Sequence, residues 1–293
     1  MQASMQAPMP EVAGVTHRRI RAGDLDVHVA EAGEGPPVVL LHGSPQHWFE
    51  WRRVLPLLAA DHRVVAPDLR GCGWTSAPAS GYDLDTQTRD VLAILDALGL
   101  ERATLVTHDY SAFMGWRIAF DHPDRLDALV ALGAPHPWFR PTAAMAAQLW
   151  RVWFQPVLAM PGLGQRVARG GRQRVVRSML DGSRPTFDEA ERQSFLAAWR
   201  PPERARALSS IYRRLILPGM AALARGPYDG RHLAAPTRIV LAGDDPVIRE
   251  AGMGPWRGTA DDLRTSTAER AGHYIANDRP DAVAAAVREL TGR

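Results

Sequence analysis

The chain has 293 residues, and all 35 of its cationic side chains are arginine. Because it has no lysine, it cannot be a P-loop ATPase, a Schiff-base enzyme or a pyridoxal phosphate enzyme, each of which needs a lysine amine. Hydrophobic residues make up 46% and charged residues 23%, which is usual for a globular enzyme. A net charge of only +3 gives little reason to expect nucleic acid binding.

The sequence carries no sign of export or of a membrane span. Its single cysteine, Cys72, cannot form an internal disulfide. No run of about 18 apolar residues occurs, and the first ten residues lack the basic and apolar regions of a signal peptide. We therefore expect a cytoplasmic protein that binds neither membrane nor nucleic acid, either as a monomer or as a homodimer.

Strand and helix patterns alternate through the first third of the chain. Strand patterns occur at Arg18–Ile20, Asp26–Val29, Pro37–Leu41, Val64–Ala66, Ala103–Thr107 and Ala128–Leu132. Helical patterns occur at Trp48–Ala60, Asp85–Leu98 and Phe113–Phe120. This alternation predicts an α/β protein with a mostly parallel central sheet flanked by helices on both faces.

The alternation is interrupted once. From Pro137 to Arg225 the composition is helical and rich in arginine and tryptophan. The strand pattern resumes at Pro236–Ala242, and it is followed by a strand at Leu263–Thr267 and a helix at Pro280–Leu290. We therefore predict an α/β core formed by residues 1–136 and 226–293, with an inserted helical cap at residues 137–225.

The strongest chemical signal is a strand that runs into a helix through a turn centred on Asp109. A strand–turn–helix elbow strains its central residue and needs small neighbours two positions away on either side. With Asp109 at the centre those neighbours are Thr107 and Ser111, whereas an elbow centred on Ser111 would have the bulky Phe113 in one of those positions. Asp109 is therefore the candidate nucleophile, and a plain helix N-cap is the alternative.

Candidate partners for Asp109 follow other strands. His273 lies between the last strand and the last helix and is the candidate base, while Asp245 is the candidate orienting acid, with Asp244 as runner-up. In an elbow hydrolase the oxyanion hole would be formed by the backbone N–H groups of Ser44 and Tyr110. The motif around Ser44 would, taken alone, also fit a tight turn.

Together these motifs resemble the α/β-hydrolase fold superfamily, in the branch that contains epoxide hydrolases and haloalkane or haloacid dehalogenases, and most of all bacterial epoxide hydrolases. The resemblance extends from about Val15 to Leu290 and is carried by His42–Pro45 with Trp48 and Trp51-Arg52, Pro67–Trp74, His108–Tyr110, Asp121–Arg125, Asp245-Pro246 and Gly272-His273. The chain departs from the branch at Thr107 and Ala242, where glycine is usual, at Tyr110, where tryptophan is frequent, and at Ser44, where a bulky residue is frequent.

The resemblance also implies groups in the cap. Epoxide hydrolases of this branch use two cap tyrosines as donors to the epoxide oxygen, so Tyr212 is the candidate proton donor and Trp150 a candidate hydrogen-bond donor. Tyr212 matches the second, whereas Trp150 stands at the position of the first, with Trp153 as runner-up. Aromatic residues of this region, namely Trp138, Trp153 and Phe154, are expected to bind an apolar or aromatic substrate. A run of cap arginines from Arg166 to Arg177 would either attract an acidic substrate or form a solvated helix face.

The reaction that the resemblance implies is hydrolysis of an epoxide to a vicinal diol through an ester on Asp109, without a cofactor or a metal. Dehalogenation by the same nucleophile is the alternative. It is less favoured because Tyr110 and Phe113 stand where haloacetate dehalogenases have arginines that bind carboxylate. A non-catalytic binding protein with the same fold is a third possibility, and the complete set of Asp109, His273 and Asp245 disfavours it.

Overall fold

The computed structural model describes residues 8–181, 187–245, 248, 256 and 258–293. Within these residues, eight strands form one sheet in the order β1-β2-β4-β3-β5-β6-β7-β8. The strands are Thr16–Ala22 (β1), Leu25–Ala32 (β2), Pro37–Leu41 (β3), Arg63–Pro67 (β4), Ala103–His108 (β5), Leu126–Leu132 (β6), Thr237–Ala242 (β7) and Leu263–Ala268 (β8). The hairpin β1–β2 and the pairing of β2 with β4 are antiparallel, and every other pairing is parallel. The predicted fold class is confirmed.

Helices cover both faces of the sheet and also make up the segment between β6 and β7. They are Leu55–Leu58 (α1), Leu84–Ala97 (α2), Ser111–Asp121 (α3), Ala143–Ala146 (α4), Phe154–Ala159 (α5), Leu163–Arg169 (α6), Arg174–Asp181 (α7), Glu189–Ala198 (α8), Pro202–Ile211 (α9), Leu217–Ala224 (α10), Ile275–Asp278 (α11) and Pro280–Thr291 (α12). Helices α2 and α3 pack on one face, and α1 and α12 pack on the other. All six residues of β5 are buried, as expected for a central parallel strand covered on both sides.

One predicted helix is shorter than the sequence pattern indicates. The segment Trp48–Ala60 forms a 3₁₀ helix at Trp48–Arg53 followed by the single turn α1. Pro56 lies in the first turn of α1, where its missing N–H costs no hydrogen bond, and it could not continue a helix arriving from Arg53. Helical spacing of apolar residues therefore marked the buried face but not the break.

Helices α4 to α10 lie between β6 and β7 and contact the loops at the carboxyl ends of the strands. Nε1 of Trp199 donates to the carbonyl of Pro45 at 2.7 Å, and Oη of Tyr274 donates to the carbonyl of Met179 at 2.7 Å. Arg52 pairs with Glu191 at 2.6 Å, and both side chains are largely buried. These contacts hold the helical segment over the edge of the sheet where β3, β5, β7 and β8 end.

A buried aspartate fixes the loop that follows β4. The carboxylate of Asp68 is fully buried and accepts hydrogen bonds from the backbone N–H groups of Trp48 and Trp74 and from Nδ1 of His28, each at 2.8 Å. Burial acts to raise the pKa of Asp68, but the hydrogen bond from His28 and the neighbouring histidines outweigh burial and lower the pKa to about 2.

We expect Asp68→Asn to lower the free energy of unfolding by roughly 3 kcal/mol at pH 7, because an amide NH₂ would face buried donors. The aspartate pKa rises from about 2 to 3.8 on unfolding, so this contribution is complete above about pH 4 and is lost as the pH falls toward 2. Denaturant unfolding at several pH values measures it. The matched control is Asp85→Asn, an exposed partner of Arg117, which should cost less than about 0.5 kcal/mol. Equal losses in the two variants would contradict this account.

Candidate active site

Asp109 lies at the turn between β5 and α3 and adopts a left-handed backbone conformation with φ of 55°. This conformation is unfavourable for a residue with a side chain and is found where surrounding contacts enforce it. Here the surroundings leave little space: a Cβ at Gly43 would lie 2.8 Å from Cβ of Asp109, and a Cβ at Gly115 would lie 2.9 Å from Cγ2 of Thr107. Close packing around the elbow therefore leaves no space for a side chain at Gly43 or Gly115.

The serine of the same turn has a structural role. Oγ of Ser111 is fully buried and donates toward the carbonyl oxygens of Leu41 and His108, both at 2.8 Å. It also accepts the backbone N–H of His108 at 2.9 Å. A hydroxyl held by three backbone groups is not free to attack a substrate, so the carboxylate of Asp109 is the candidate nucleophile at the elbow.

The structure brings the three predicted triad residues together. Nε2 of His273 lies 3.5 Å from Oδ2 of Asp109, and Nδ1 of His273 lies 3.2 Å from Oδ2 of Asp245. Asp245 is buried and its Oδ1 also accepts the backbone N–H of Ile248, whereas the runner-up Asp244 is exposed. Pro246, which completes the predicted acid motif, lies outside the described residues.

The two carboxylates control the charge of His273. Burial alone would lower the pKa of this imidazole, but hydrogen bonding and charge interactions with Asp109 and Asp245 outweigh it and raise the pKa to about 10. Burial would raise the pKa of Asp109, and the contacts with His273 lower it below its ordinary value. Both shifts favour a carboxylate on Asp109 beside an imidazolium on His273 at neutral pH.

The two predicted oxyanion-hole amides flank Asp109. The backbone N–H of Ser44 donates to Oδ1 of Asp109 at 3.1 Å. Tyr110 directly precedes α3, so its amide lies at the positive end of that helix dipole. The side chain of Tyr110 is buried in the core with its hydroxyl 3.8 Å from Sγ of Cys72. The ring of Tyr110 is therefore packed into the core beside Cys72.

Tyr212, from the inserted helical segment, lies next to Ser44. It is 3% exposed, and its hydroxyl lies 3.3 Å from Oγ of Ser44. It begins a π-helical turn, Tyr212–Ile216, which connects α9 to α10. Such turns insert one extra residue into a helix and are common at functional sites. Phe154, a predicted substrate-binding residue, packs edge-on against the ring of Tyr212 with the centroids 6.3 Å apart.

The three predicted tryptophans lie in different surroundings. Trp150 is 65% exposed, forms part of a 3₁₀ turn at Leu149–Val152, and stacks under the guanidinium of Arg151. Trp153 is 49% exposed and contacts Phe154. Trp138 is buried, and its indole N–H donates to the carbonyl of Tyr228 at 2.9 Å. The exposed Trp150 is therefore not part of the buried cluster around Asp109.

Sequence reasoning missed Glu50, a fully buried carboxylate next to the site. Its Oε1 lies 2.6 Å from Nδ1 of His108, and its Oε2 accepts the backbone N–H of Gly43 at 2.8 Å. Nε2 of His108 donates to the backbone carbonyl of His273 at 2.9 Å. The only available signal was an acidic residue within an otherwise apolar helical pattern, and that signal does not reveal a partner 58 positions away.

Two features are absent from the described part of the chain. No group of three or more histidine, cysteine or acidic side chains there could hold a metal ion. No helix there is long and apolar enough to cross a membrane.

Comparison with known proteins places this geometry in a family. Residues 36–280 match the family model described as alpha/beta hydrolase fold. The chain belongs to the α/β-hydrolase family. It is 30% identical to epoxide hydrolase A of Mycobacterium tuberculosis, over 94% of this chain and 98% of that protein. It is also 26% identical to epoxide hydrolase 2 of Caenorhabditis elegans, over 94% of this chain and 80% of that protein. Within the family it belongs to the branch of the epoxide hydrolases.

Solved structures share the fold of this chain. The Burkholderia cenocepacia protein Cfl2 superposes with a TM-score of 0.82 at 28% identity, covering 96% of this chain and 97% of that one. An epoxide hydrolase of Vigna radiata superposes with a TM-score of 0.80, covering 97% of this chain and 99% of that one. At 24% identity the second likeness shows the shared fold alone.

We expect the imidazole of His273 to remain protonated at pH 8 in the resting protein, because two carboxylates face its ring. Asp109→Asn and Asp245→Asn should each lower its pKa, whereas the exposed control Asp244→Asn should not. Chemical shifts of the labelled ring nitrogens, followed against pH, measure this. Titration of His273 near 6.5 in the unaltered protein would contradict the prediction, and so would a larger effect of Asp244→Asn than of Asp245→Asn.

Proposed function

We propose that the protein is an epoxide hydrolase that converts an epoxide to a vicinal diol through a covalent ester on Asp109. The observation that carries this proposal is the position of the Asp109 carboxylate, which lies at a strained elbow between the backbone N–H of Ser44 and the imidazole of His273. The epoxide hydrolase names of the relatives support the reaction class. The carboxylate attacks one epoxide carbon, the C–O bond breaks, and the epoxide oxygen takes a proton from Tyr212.

Hydrolysis of the ester then depends on a change in the charge of His273. Once Asp109 is alkylated, the negative charge that faces Nε2 of His273 is gone, so the pKa of this imidazole falls. His273 then loses one proton and the Tyr212 oxygen regains one, so both side chains are neutral before water reacts. Neutral His273, oriented by Asp245, removes a proton from water, and the resulting hydroxide attacks the ester carbonyl carbon. Collapse of the tetrahedral intermediate releases the diol and restores the Asp109 carboxylate and the His273 imidazolium.

The oxyanion of the tetrahedral intermediate would be stabilised by the backbone N–H groups of Ser44 and Tyr110. One such donor is worth roughly 100- to 1000-fold in rate in other hydrolases. The N–H of Ser44 already lies within hydrogen-bonding distance of an Asp109 carboxyl oxygen, and that oxygen becomes part of the ester. This mechanism uses only side chains and backbone groups of the protein and requires no cofactor.

We further propose that residues 137–225 act as a cap over a core formed by residues 1–136 and 226–293. Contacts from Trp199 to Pro45 and from Tyr274 to Met179 support this division, because each joins the inserted helices to a loop at the carboxyl edge of the sheet. The buried Tyr212 is supplied from the same segment. The half-buried Phe154 beside Tyr212, together with Trp153, fits an apolar or aromatic group on the epoxide.

A single-turnover reaction of excess protein with an aryl epoxide in ¹⁸O-labelled water tests the covalent route. The label should enter the Asp109 carboxylate, and the first diol released should carry unlabelled oxygen, because water attacks the ester carbonyl carbon. Mass spectrometry of the peptide that contains Asp109 and of the diol measures both products. Label found in the diol and absent from Asp109 would rule out the ester.

Variants separate the two half-reactions. His273→Gln should accumulate the alkyl ester on Asp109, because ring opening needs no base, and turnover should fall by at least about 100-fold. Asp109→Ala should form neither ester nor diol. The control His122→Gln changes an exposed histidine after α3 and should keep wild-type turnover. A diol formed by Asp109→Ala at the wild-type rate would overturn the mechanism, and halide release without diol formation across a substrate panel would indicate a dehalogenase.

A further inference from the structure

Ser44 presents two different groups to the site. Its backbone N–H donates to Oδ1 of Asp109 at 3.1 Å, and its side-chain Oγ lies 3.3 Å from Oη of Tyr212. Ser44 is 7% exposed and Tyr212 is 3% exposed, so solvent competes little for this contact. The hydroxyl of Ser44 is therefore placed next to the one cap hydroxyl that reaches the buried cluster described here.

The proposed ring opening needs a second donor beside Tyr212. When Tyr212 gives its proton to the epoxide oxygen, a phenolate forms in a buried site close to the carboxyl group of Asp109. A buried anion needs compensating hydrogen bonds. The sequence predicted the second donor at Trp150, which is 65% exposed and stacks with Arg151. The hydroxyl of Ser44 already lies within hydrogen-bonding distance of the atom that becomes charged.

We propose that the Ser44 side chain is a catalytic group of the ring-opening step. Its hydroxyl donates a hydrogen bond to the Tyr212 oxygen while Tyr212 gives its own proton to the epoxide oxygen. This inference rests on the proposed function. In the step, a carboxyl oxygen of Asp109 forms a bond to an epoxide carbon, and the C–O bond at that carbon breaks. The epoxide oxygen keeps the electron pair of the broken bond and receives the proton of Tyr212. Ser44 keeps its own proton, and its hydrogen bond strengthens as charge develops on Tyr212.

The chemistry of the hydroxyl also predicts which step it affects. Ester hydrolysis occurs at the carbonyl of Asp109, where the backbone N–H of Ser44 is the contributing group. Ser44→Ala removes the hydroxyl and keeps that N–H. It should therefore slow ring opening and leave hydrolysis of the ester unchanged. A purely structural role for Ser44 would disturb both steps, since both groups belong to one residue.

The decisive measurement is the rate of ester formation on Asp109, followed by rapid quench and mass spectrometry in the His273→Gln background. Ser44→Ala should slow this rate by roughly 10- to 100-fold, the value of one hydrogen bond to a charged oxygen. Ser44→Thr keeps a hydroxyl and should restore most of the rate. In the His273-containing protein, decay of the preformed ester should be the same for Ser44→Ala and the unaltered chain.

A double-mutant cycle identifies the route of the effect. Because Ser44 acts through the Tyr212 oxygen, Ser44→Ala should cost little once Tyr212→Phe has removed that oxygen. Additive losses would overturn the proposal, and so would ester formation at the wild-type rate in Ser44→Ala. If Ser44→Ala fails to fold, Ser44→Cys takes its place, because it has a similar size and a weaker donor. Ser44→Cys should form the ester more slowly than the unaltered side chain does. An unchanged rate of ester formation in Ser44→Cys would overturn the proposal. Absence of any Asp109 ester in the unaltered chain and in His273→Gln would instead overturn the proposed function itself.

Discussion

A buried contact between two polar side chains, Glu50 and His108, joins the three loops on which the candidate site depends. Glu50 accepts the backbone N–H of Gly43 and contacts His108, and His108 donates to the backbone carbonyl of His273. The ring of His108 therefore bridges the Glu50 side chain and the loop that carries His273. Removal of one partner would leave a buried polar group of the other without compensation, which typically costs about 1–3 kcal/mol. Asp109 directly follows His108 in the chain, so the pair fixes the loops that carry Gly43, Asp109 and His273 relative to one another.

This arrangement explains how a strained residue can persist at the elbow. The left-handed conformation of Asp109 is unfavourable by roughly 1–2 kcal/mol, and it is held by contacts on both sides. On one side the His108 ring is held by Glu50, and on the other Ser111 is bonded to the backbone of β3 and β5. Gly43 completes the arrangement, since a side chain there would collide with the His108 ring at 2.6 Å. The left-handed turn at Asp109 therefore places its carboxylate at the edge of the sheet, beside His273.

Much of the fold could be predicted because it depends on local patterns. Every predicted strand is present, and the antiparallel hairpin and parallel order follow from turn residues and from the alternation of strands with helices. The expected proximity of Asp109, His273 and Asp245 has the same origin, because each residue follows a strand at one edge of the sheet. The exposure of Trp150 and the contact between Ser44 and Tyr212 could not be predicted in this way. Both depend on how helices from a long insertion pack over the core, and sequence spacing carries no information on that packing.

The absence of lysine has a structural counterpart where the inserted helices meet the core. Arg52 and Arg204 are both largely buried there, and Arg204 donates to the carbonyl of Cys72 at 3.1 Å while Arg52 pairs with Glu191. A guanidinium offers several donors in a fixed plane and keeps its charge when buried, whereas a buried lysine amine readily loses its proton. Contacts built on arginine therefore persist over a wide pH range. The guanidinium groups of Arg52 and Arg204 therefore hold the inserted helices against the core without a change of charge near neutral pH.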